Sequence, residues 1–238
     1  MARMRNIKPP SMRTTFLVDA MYLHAAYERY DRALKEEARI PRASRKIERL
    51  KEREEQILFR HGGDTLKAYN ELEPIYIEME SADYLLCQAY GPSLQSFALV
   101  QILCAASLEA HIVARGRAGL TGRLLEAFDR FSLEAKWLTL PKLLGLPGFD
   151  PGSEPFQSFA VLVRLRNSLV HYRERFEEWA APGVPSFLGN LGLSKEAASR
   201  SIDCAVRMVV GLAKQLGEPK PFWLRHKGGI SYFSIADE

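Results

Sequence analysis

The chain has 238 residues, of which 47% are hydrophobic and 26% charged, a composition typical of a globular protein with one substantial core. No uninterrupted apolar run approaches the about 20 residues of a transmembrane helix, and the proline pair that follows the basic N-terminal residues fits a secretory signal poorly. We therefore expect a cytoplasmic protein without a membrane span. The net charge of +4 permits nucleic-acid binding but does not require it.

The cysteines and histidines argue against a disulfide framework and a metal centre. Cys87, Cys104 and Cys204 are widely spaced in apolar helical contexts, which predicts buried free thiols. The five histidines show no two-histidine spacing of a helical metal site, and no clustered carboxylates indicate a metal cage. We therefore expect neither a metal nor a cofactor.

Helical periodicity, interrupted by proline and glycine clusters, predicts an all-α fold, an antiparallel helical bundle. A first helix is expected from about Thr15 to Ala38, before Pro41 interrupts the pattern. Residues 44–60 are dense in arginine, lysine and glutamate, which predicts an exposed helix or a charged helical arm. For this segment a solvated helical face is favoured over an RNA-binding arm.

The middle of the chain is predicted to form the centre of the bundle. Asp64 can cap a helix that reaches about Ala89. The sequence Gly-Pro-Ser at residues 91–93 then opens a second helix that extends to about Arg115. Because this second helix is apolar nearly all round, we expect it to be the central buried helix.

The remaining sequence predicts further helices and a short tail. The helices are expected at about 122–131, 133–144 and 155–179, with a last helix from Ser194 to about Gly217. The tail allows a small hairpin between residues 222 and 235. Trp223 and residues 225–227 of the tail could touch a nucleic acid, but docking of the tail on its own bundle is favoured.

Three regions follow from this pattern. Residues 1–63 hold N-terminal helices and the charged arm, packed on the core or extending from it. Residues 64–216 form the helical bundle, and residues 217–238 form the tail. No internal repeat is apparent.

The segment from Leu165 to Tyr172 is where the sequence indicates chemistry, because Arg166 and His171 stand five positions apart in it. Arginine is a permanent cation that grips a phosphate with two donors, and histidine has the side-chain pKa nearest neutrality. Together they could cleave RNA without a metal. The histidine would transfer a proton at the ribose 2'-hydroxyl or the leaving oxygen, and the arginine would stabilise charge on the phosphorus centre. On spacing alone, a solvated histidine and an ion-paired arginine are the more common explanation.

Helical geometry complicates a simple site. Positions five apart lie about 140° around the axis, so Arg166 and His171 do not share a face, whereas Asn167 lies one turn below His171. The arginine could bend round, the helix could begin irregularly, or the motif helices of two subunits could meet across a symmetry axis. The third arrangement is favoured because it brings two arginines and two histidines to one cleft.

The stretch from Arg166 to His171 resembles the signature of the HEPN superfamily, which is an arginine followed after four to six residues by a histidine. Residues 106–110 resemble the acidic helix of many members, and residues 136–144 resemble a segment of HEPN-like proteins. The resemblance covers roughly Tyr76 to Trp179. It implies a bundle that dimerises, with the motif in a composite cleft. In active members it implies a metal-independent endoribonuclease that leaves a 2',3'-cyclic phosphate.

The resemblance also assigns roles to residues of this chain. Arg166 and His171 would be catalytic, Asn167 supporting and Glu109 orienting. Glu109 lies on the flank of the buried stripe of its helix, and a partly buried carboxylate needs a cation, for which Arg166 is the candidate. A pair of Glu109 and Arg166 could also be purely structural. The expected partners are RNA, a second copy of the chain and a separate antitoxin or regulatory protein.

Three functions are compatible with these features. The leading one is an endoribonuclease that acts as a toxin or as a phage-defence effector. The alternative is a non-catalytic HEPN-like interaction or regulatory module that binds protein or nucleic acid through the charged helix or the dimer groove. A third, a ligand-binding protein with a pocket under Tyr22, Tyr27 and Tyr30, rests on aromatic residues that are more often core.

Overall fold

The computed structural model describes residues 14–171, 190–224 and 232–235 and confirms the all-α helical bundle. Within these ranges the helices are α1 (Val18–Glu37), α2 (Ile40–Arg60), α3 (Thr65–Gly119), α4 (Gly122–Asp129), α5 (Leu133–Leu143), α6 (Phe156–Val170) and α7 (Lys195–Gln215). A 3-10 turn at Phe222–Leu224 and two short strands, β1 (Thr14–Phe16) and β2 (Phe233–Ile235), complete the described elements. Six of the eight predicted helices each correspond to one observed helix, and the other two, predicted at residues 64–89 and 93–115, together form α3.

The N-terminal end of α1 differs from the prediction. Residues 14–16 form strand β1 rather than a helical turn, and β1 pairs antiparallel with β2 of the tail. The described partner of the tail strand is therefore the N-terminal segment rather than a second tail strand; residues 225–231 lie outside the described residues. Pro41 lies in the first turn of α2, where a helix needs no N–H donor, so α2 follows α1 almost directly.

Two predicted helix starts are confirmed by their cap hydrogen bonds. Asp64 Oδ1 accepts from the backbone N–H groups of Leu66 and Lys67, at 3.0 and 3.2 Å. Ser194 Oγ accepts from the N–H of Ala197 at 3.2 Å, at the start of α7. Both caps satisfy N–H groups that have no partner inside the helix, so short polar side chains at these positions fix where the helices begin.

Helix α3 is continuous over 55 residues, so the predicted interruption at residues 91–93 is wrong. Pro74 and Pro92 both lie inside it. Beside Pro92 the hydroxyl of Ser93 donates to the carbonyl oxygen of Tyr90 at 2.8 Å and supplies a partner for a backbone acceptor. Helix α2 packs on the N-terminal half of α3 and α1 on its C-terminal half, and this packing on both sides of Pro92 holds the helix in one piece.

The charged segment forms an arm with α3. Helix α2 runs antiparallel to the N-terminal half of α3, since Arg60 contacts Glu71 and Glu54 contacts Tyr76. A separate apolar seam joins the two helices and is made of Ile47, Leu50, Ile57, Ala68, Leu72, Ile75 and Ala82. Helix α2 therefore buries Ile47, Leu50 and Ile57 against α3 and leaves most of its charged residues exposed.

The bundle is built around the C-terminal half of α3. Helix α1 runs antiparallel to it, because Asp19 lies beside Ser107 and the far end of α1 lies beside Leu85. Among the largest buried side chains of the core are Phe97, Leu108, Ile112, Phe128, Trp137, Phe159, Leu162 and Met208. By length and composition alone α3 could cross a membrane, and half of its most apolar window is buried inside the protein.

The aromatic residues considered for ligand or nucleic-acid contact belong largely to the protein's interior. Tyr27 and Tyr30 pack against the main core. Trp223 is buried, and its carbonyl oxygen lies 3.0 Å from Nε2 of His24 on α1. The described part of the tail therefore docks on its own bundle; residues 225–227 lie outside the described residues.

The prediction of buried thiols holds for two of the three cysteines. Cys104 and Cys204 are buried in the bundle, whereas Cys87 is exposed. Burial raises the pKa of Cys204 to about 12 and also raises the pKa of Cys104 far above its usual range. Cys87 differs because it lies on the half of α3 that belongs to the arm, where only one face of the helix is covered.

Candidate functional site

Helix α6 carries the predicted catalytic residues at its C-terminal end. Its buried residues are Phe156, Phe159, Leu162 and Val163, which fix the helix in the bundle. Arg164, Asn167 and His171 are exposed, as the helical pattern predicts. The predicted continuation of this helix to about residue 179 lies outside the described residues.

Arg166 is partly buried and is oriented by the next residue. Its Nη1 donates a hydrogen bond to Oδ1 of Asn167 at 3.0 Å. Among the described residues this is its one side-chain hydrogen bond, and no carboxylate pairs with it. The other guanidinium donors have no partner among the described residues, and five donors in a planar fork suit a phosphate.

His171 caps the C-terminus of α6. Its φ of −111° and ψ of 29° depart from helical values, and its N–H donates to the carbonyl oxygen of Asn167 at 2.9 Å. The ring is exposed. Asn167 thus contacts both residues of the motif, since its side chain binds Arg166 and its carbonyl binds the backbone of His171.

Glu109 does not pair with Arg166, so the predicted contact is wrong. Glu109 is partly buried on α3, and its side chain has neither a hydrogen bond nor an ion pair with another described residue. The position of α6 along the axis of α3 explains why Glu109 and Arg166 do not meet. Leu165 packs on Gly192, whose carbonyl oxygen accepts a hydrogen bond from the Gln101 side chain. Glu109 lies eight residues beyond Gln101, which is about 12 Å along the helix axis and too far for Arg166.

A buried polar pair that sequence analysis missed joins α1 to α3. His111 Nδ1 lies 2.8 Å from Oδ2 of Asp19, and Ser107 Oγ donates to the carbonyl oxygen of Asp19 at 2.7 Å. The imidazole stacks near Trp137 and meets Trp223 edge to face. The pair thus connects two helices with the aromatic core. A histidine on the buried stripe of the central helix was the signal that a partner was needed.

Comparisons with protein-family models, with curated proteins and with solved structures return no significant match for this chain. The resemblance to HEPN proteins therefore stays an expectation from the sequence, above all from the spacing of Arg166 and His171.

Proposed function

We propose that this protein is a metal-independent endoribonuclease of HEPN type that acts as a toxin or defence effector. Arg166 and His171 are its catalytic residues and Asn167 is a positioning residue. The observation that carries the proposal is the arrangement at the end of α6, where the Arg166 guanidinium has no carboxylate partner among the described residues and is hydrogen-bonded to Asn167, one turn before the exposed His171. His171 is exposed and Arg166 is only partly buried, which suits side chains that must reach a phosphodiester.

Each residue type suits one part of the reaction. The 2'-oxygen of the ribose attacks the adjacent phosphorus while an imidazole accepts the hydroxyl proton. The bond from phosphorus to the 5'-oxygen breaks, and this oxygen receives a proton from a second acid. Arg166 stabilises the negative charge that builds on the phosphoryl oxygens. The products are a 2',3'-cyclic phosphate and a 5'-hydroxyl.

A base and an acid are both required, and the motif of one chain supplies one histidine. We therefore place the reaction at a cleft between two subunits, where His171 of one copy acts as base and His171 of the other as acid. Two copies of Arg166 would then face one phosphate. This arrangement predicts that the active species is a homodimer.

Cleavage of end-labelled RNAs in excess EDTA tests the proposal. The parent protein should produce cyclic-phosphate ends, and the His171→Ala and Arg166→Ala variants should not. Arg164→Ala is the matched control, because Arg164 is an exposed arginine on the same helix, two residues before Arg166. Circular dichroism and light scattering establish that each variant is folded and has the oligomeric state of the parent. Equal cleavage by all four proteins would refute the assignment.

A non-catalytic interaction module is the second candidate, and exposed apolar residues on the arm favour it. Leu66, Ile77 and Tyr84 of α3 are 86%, 63% and 64% exposed. Their spacings of eleven and seven residues place them on one face of the helix. Such a stripe suits contact with another protein. This function predicts that Leu66→Glu with Ile77→Glu abolishes partner binding while His171→Ala leaves it unchanged, as measured by light scattering and pull-down with a co-expressed neighbouring gene product.

A further inference from the structure

The N-terminal half of α2 concentrates positive charge. Residues 39–49 contain five cations and one acidic residue, Glu48. The cations are Arg39, Arg42, Arg45, Lys46 and Arg49, and all are exposed. At 100° per residue they fall within about 120° of arc, so they form one stripe along the helix.

This stripe borders a groove of about 830 Å³. The opposite wall belongs to α3 and consists of Ala82, Leu85 and Gln88. Glu36, at the end of α1, is the one acidic residue that lines the groove in the part of the chain described, and it pairs with Arg39 at 2.6 Å. The groove therefore presents mainly positive charge on one side and an apolar and an amide side chain on the other.

Most of these cations have no polar partner among the described residues. The side chains of Arg42, Lys46 and Arg49 have neither a hydrogen bond nor an ion pair with another described residue. The C-terminal half of α2 provides the contrast, because there Arg60 binds Glu71 at 2.8 Å and Arg53 lies 4.0 Å from Glu78. Cations in the C-terminal half of α2 thus form ion pairs with α3, and those in the N-terminal half line an open groove.

The concentration of charge is unfavourable for the isolated helix. Arg42 with Lys46, and Arg45 with Arg49, are like charges four residues apart, which repel each other on a helix. The first turn of α2 also lacks an acidic residue that would suit the positive end of the helix. A row of negative charges in the groove would remove both costs.

We propose that this groove binds the phosphodiester backbone of single-stranded RNA. The proposal rests on the proposed function in that RNA is the substrate. The three cations Arg42, Lys46 and Arg49 span about 10 Å of the helix and contact successive phosphates of the strand. Leu85 and Gln88, on the opposite wall, face the sugars and bases. Because backbone contacts carry no sequence information, binding at the groove is independent of sequence.

The groove and the candidate active site are distinct places on the molecule. Leu165 of α6 lies level with Gln101 of α3, whereas the groove lies at residues 82–88 of the same helix. These positions are 13 to 19 residues apart, which is about 20–28 Å along the axis. Substitutions in the groove therefore alter RNA binding without touching Arg166 or His171.

The test measures binding of a fluorescein-labelled single-stranded RNA to full-length protein that carries His171→Ala, so that the RNA stays intact. The groove variant adds Arg42→Ala, Lys46→Ala and Arg49→Ala. The control variant adds Arg123→Ala, Arg130→Ala and Lys214→Ala, which remove the same charge from exposed positions elsewhere. Fluorescence anisotropy is recorded between about 50 and 200 mM salt, where phosphate contacts strongly affect affinity.

We expect the groove variant to bind RNA about tenfold more weakly or worse, while the control keeps the parent affinity. The slope of log K against log salt should become shallower by about 2, because each lost phosphate contact on a single strand contributes about 0.7. Equal affinities, equal losses in both variants, or no RNA binding by the His171→Ala protein would overturn the proposal. Cleavage by the parent in EDTA is scored separately, so a wrong groove and an absent nuclease activity give different results.

Discussion

The guanidinium of Arg166 and the side-chain oxygen of Asn167 form a 3.0 Å hydrogen bond at the end of α6. Asn167 lies one turn before His171, so this contact directs the arginine side chain toward the helix face of His171. In a straight helix Arg166 and His171 themselves lie on different faces. Asn167 also accepts a hydrogen bond from the backbone of His171 at 2.9 Å. Asn167 therefore makes one hydrogen bond to each of the two proposed catalytic residues.

Replacing Asn167 tests this positioning role. Asn167→Ala removes the acceptor, and we expect the cleavage rate kcat to fall by about tenfold, equivalent to about 1.4 kcal/mol of transition-state stabilisation. Asn167→Gln retains an uncharged amide oxygen acceptor and should recover most of the rate. Because Asn167 is exposed, the unfolding midpoint should not change. An equal loss in both variants, or a loss of stability that accounts for it, would contradict the role.

We predict that the lack of a side chain at Gly192 allows α6 to pack at its observed position along α3. Its φ is +64°, and an added Cβ would lie 2.8 Å from both Gln101 Nε2 and Leu165 Cδ1. Gly192→Ala should therefore cost about 2–4 kcal/mol in the free energy of unfolding, the sum of backbone strain and overpacking. Gly62→Ala is the control, since φ is +63° but nothing lies within 4 Å. Urea denaturation should give a clearly larger loss for Gly192; equal losses would contradict the clash.

Removing the buried partner of Asp19 is predicted to destabilise the bundle. The His111 side chain is 4% exposed and that of Asp19 is 13% exposed. His111→Ala leaves a carboxylate with little access to water, so we expect a loss of about 3 kcal/mol. The control is His61→Ala, which breaks a more exposed contact with Glu71 and should cost much less, because solvent screens an exposed ion pair. Thermal unfolding that ranks the two variants in the opposite order would refute this role of the pair.

The cysteines should differ sharply in reactivity. Burial raises the pKa of Cys204 to about 12 and that of Cys104 further, so at pH 8 both remain almost wholly in the unreactive thiol form. Cys87 is exposed. Titration of the native protein with a disulfide reagent should release one rapid equivalent, and the Cys87→Ser variant should release none until it unfolds. Rapid reaction of a second thiol would contradict the described burial.

Neutralising the groove should not weaken the fold. Arg42→Ala, Lys46→Ala and Arg49→Ala relieve like-charge pairs that each cost about 0.2–0.5 kcal/mol on a helix. We therefore expect the unfolding temperature to stay the same or rise, most clearly at low salt, where charge repulsion is least screened. A fall in the unfolding temperature at low salt would mean that these cations stabilise the arm, contrary to the proposed role.

Local features of the fold could be predicted from sequence because they depend on neighbouring residues. Asp64 and Ser194 were recognised as helix caps since a cap needs only its own side chain and the next three residues. The predicted break at residues 91–93 failed for the opposite reason. Whether Pro92 ends a helix depends on packing around it, and α1 and α2 supply that packing from distant parts of the sequence.

In the candidate site, too, local features could be predicted from the sequence and contacts between distant residues could not. The exposure of Arg164, Asn167 and His171 follows from helical periodicity. Periodicity could not show whether Glu109 and Arg166 meet. It indicates which face of a helix is buried, but not how far one helix is shifted along the axis of another. The partner of His111 is 92 residues away along the chain, so no local pattern could identify Asp19.

The rate of RNA cleavage in excess EDTA by the parent and by His171→Ala tests the central claim most directly. A general acid or base contributes about 10²–10⁴-fold to rate, so we expect the variant to be at least about 100-fold slower at equal RNA binding. Added imidazole should restore part of its activity by occupying the space of the missing ring. A variant that cleaves RNA as fast as the parent, with the same products, would show that His171 takes no part in the reaction.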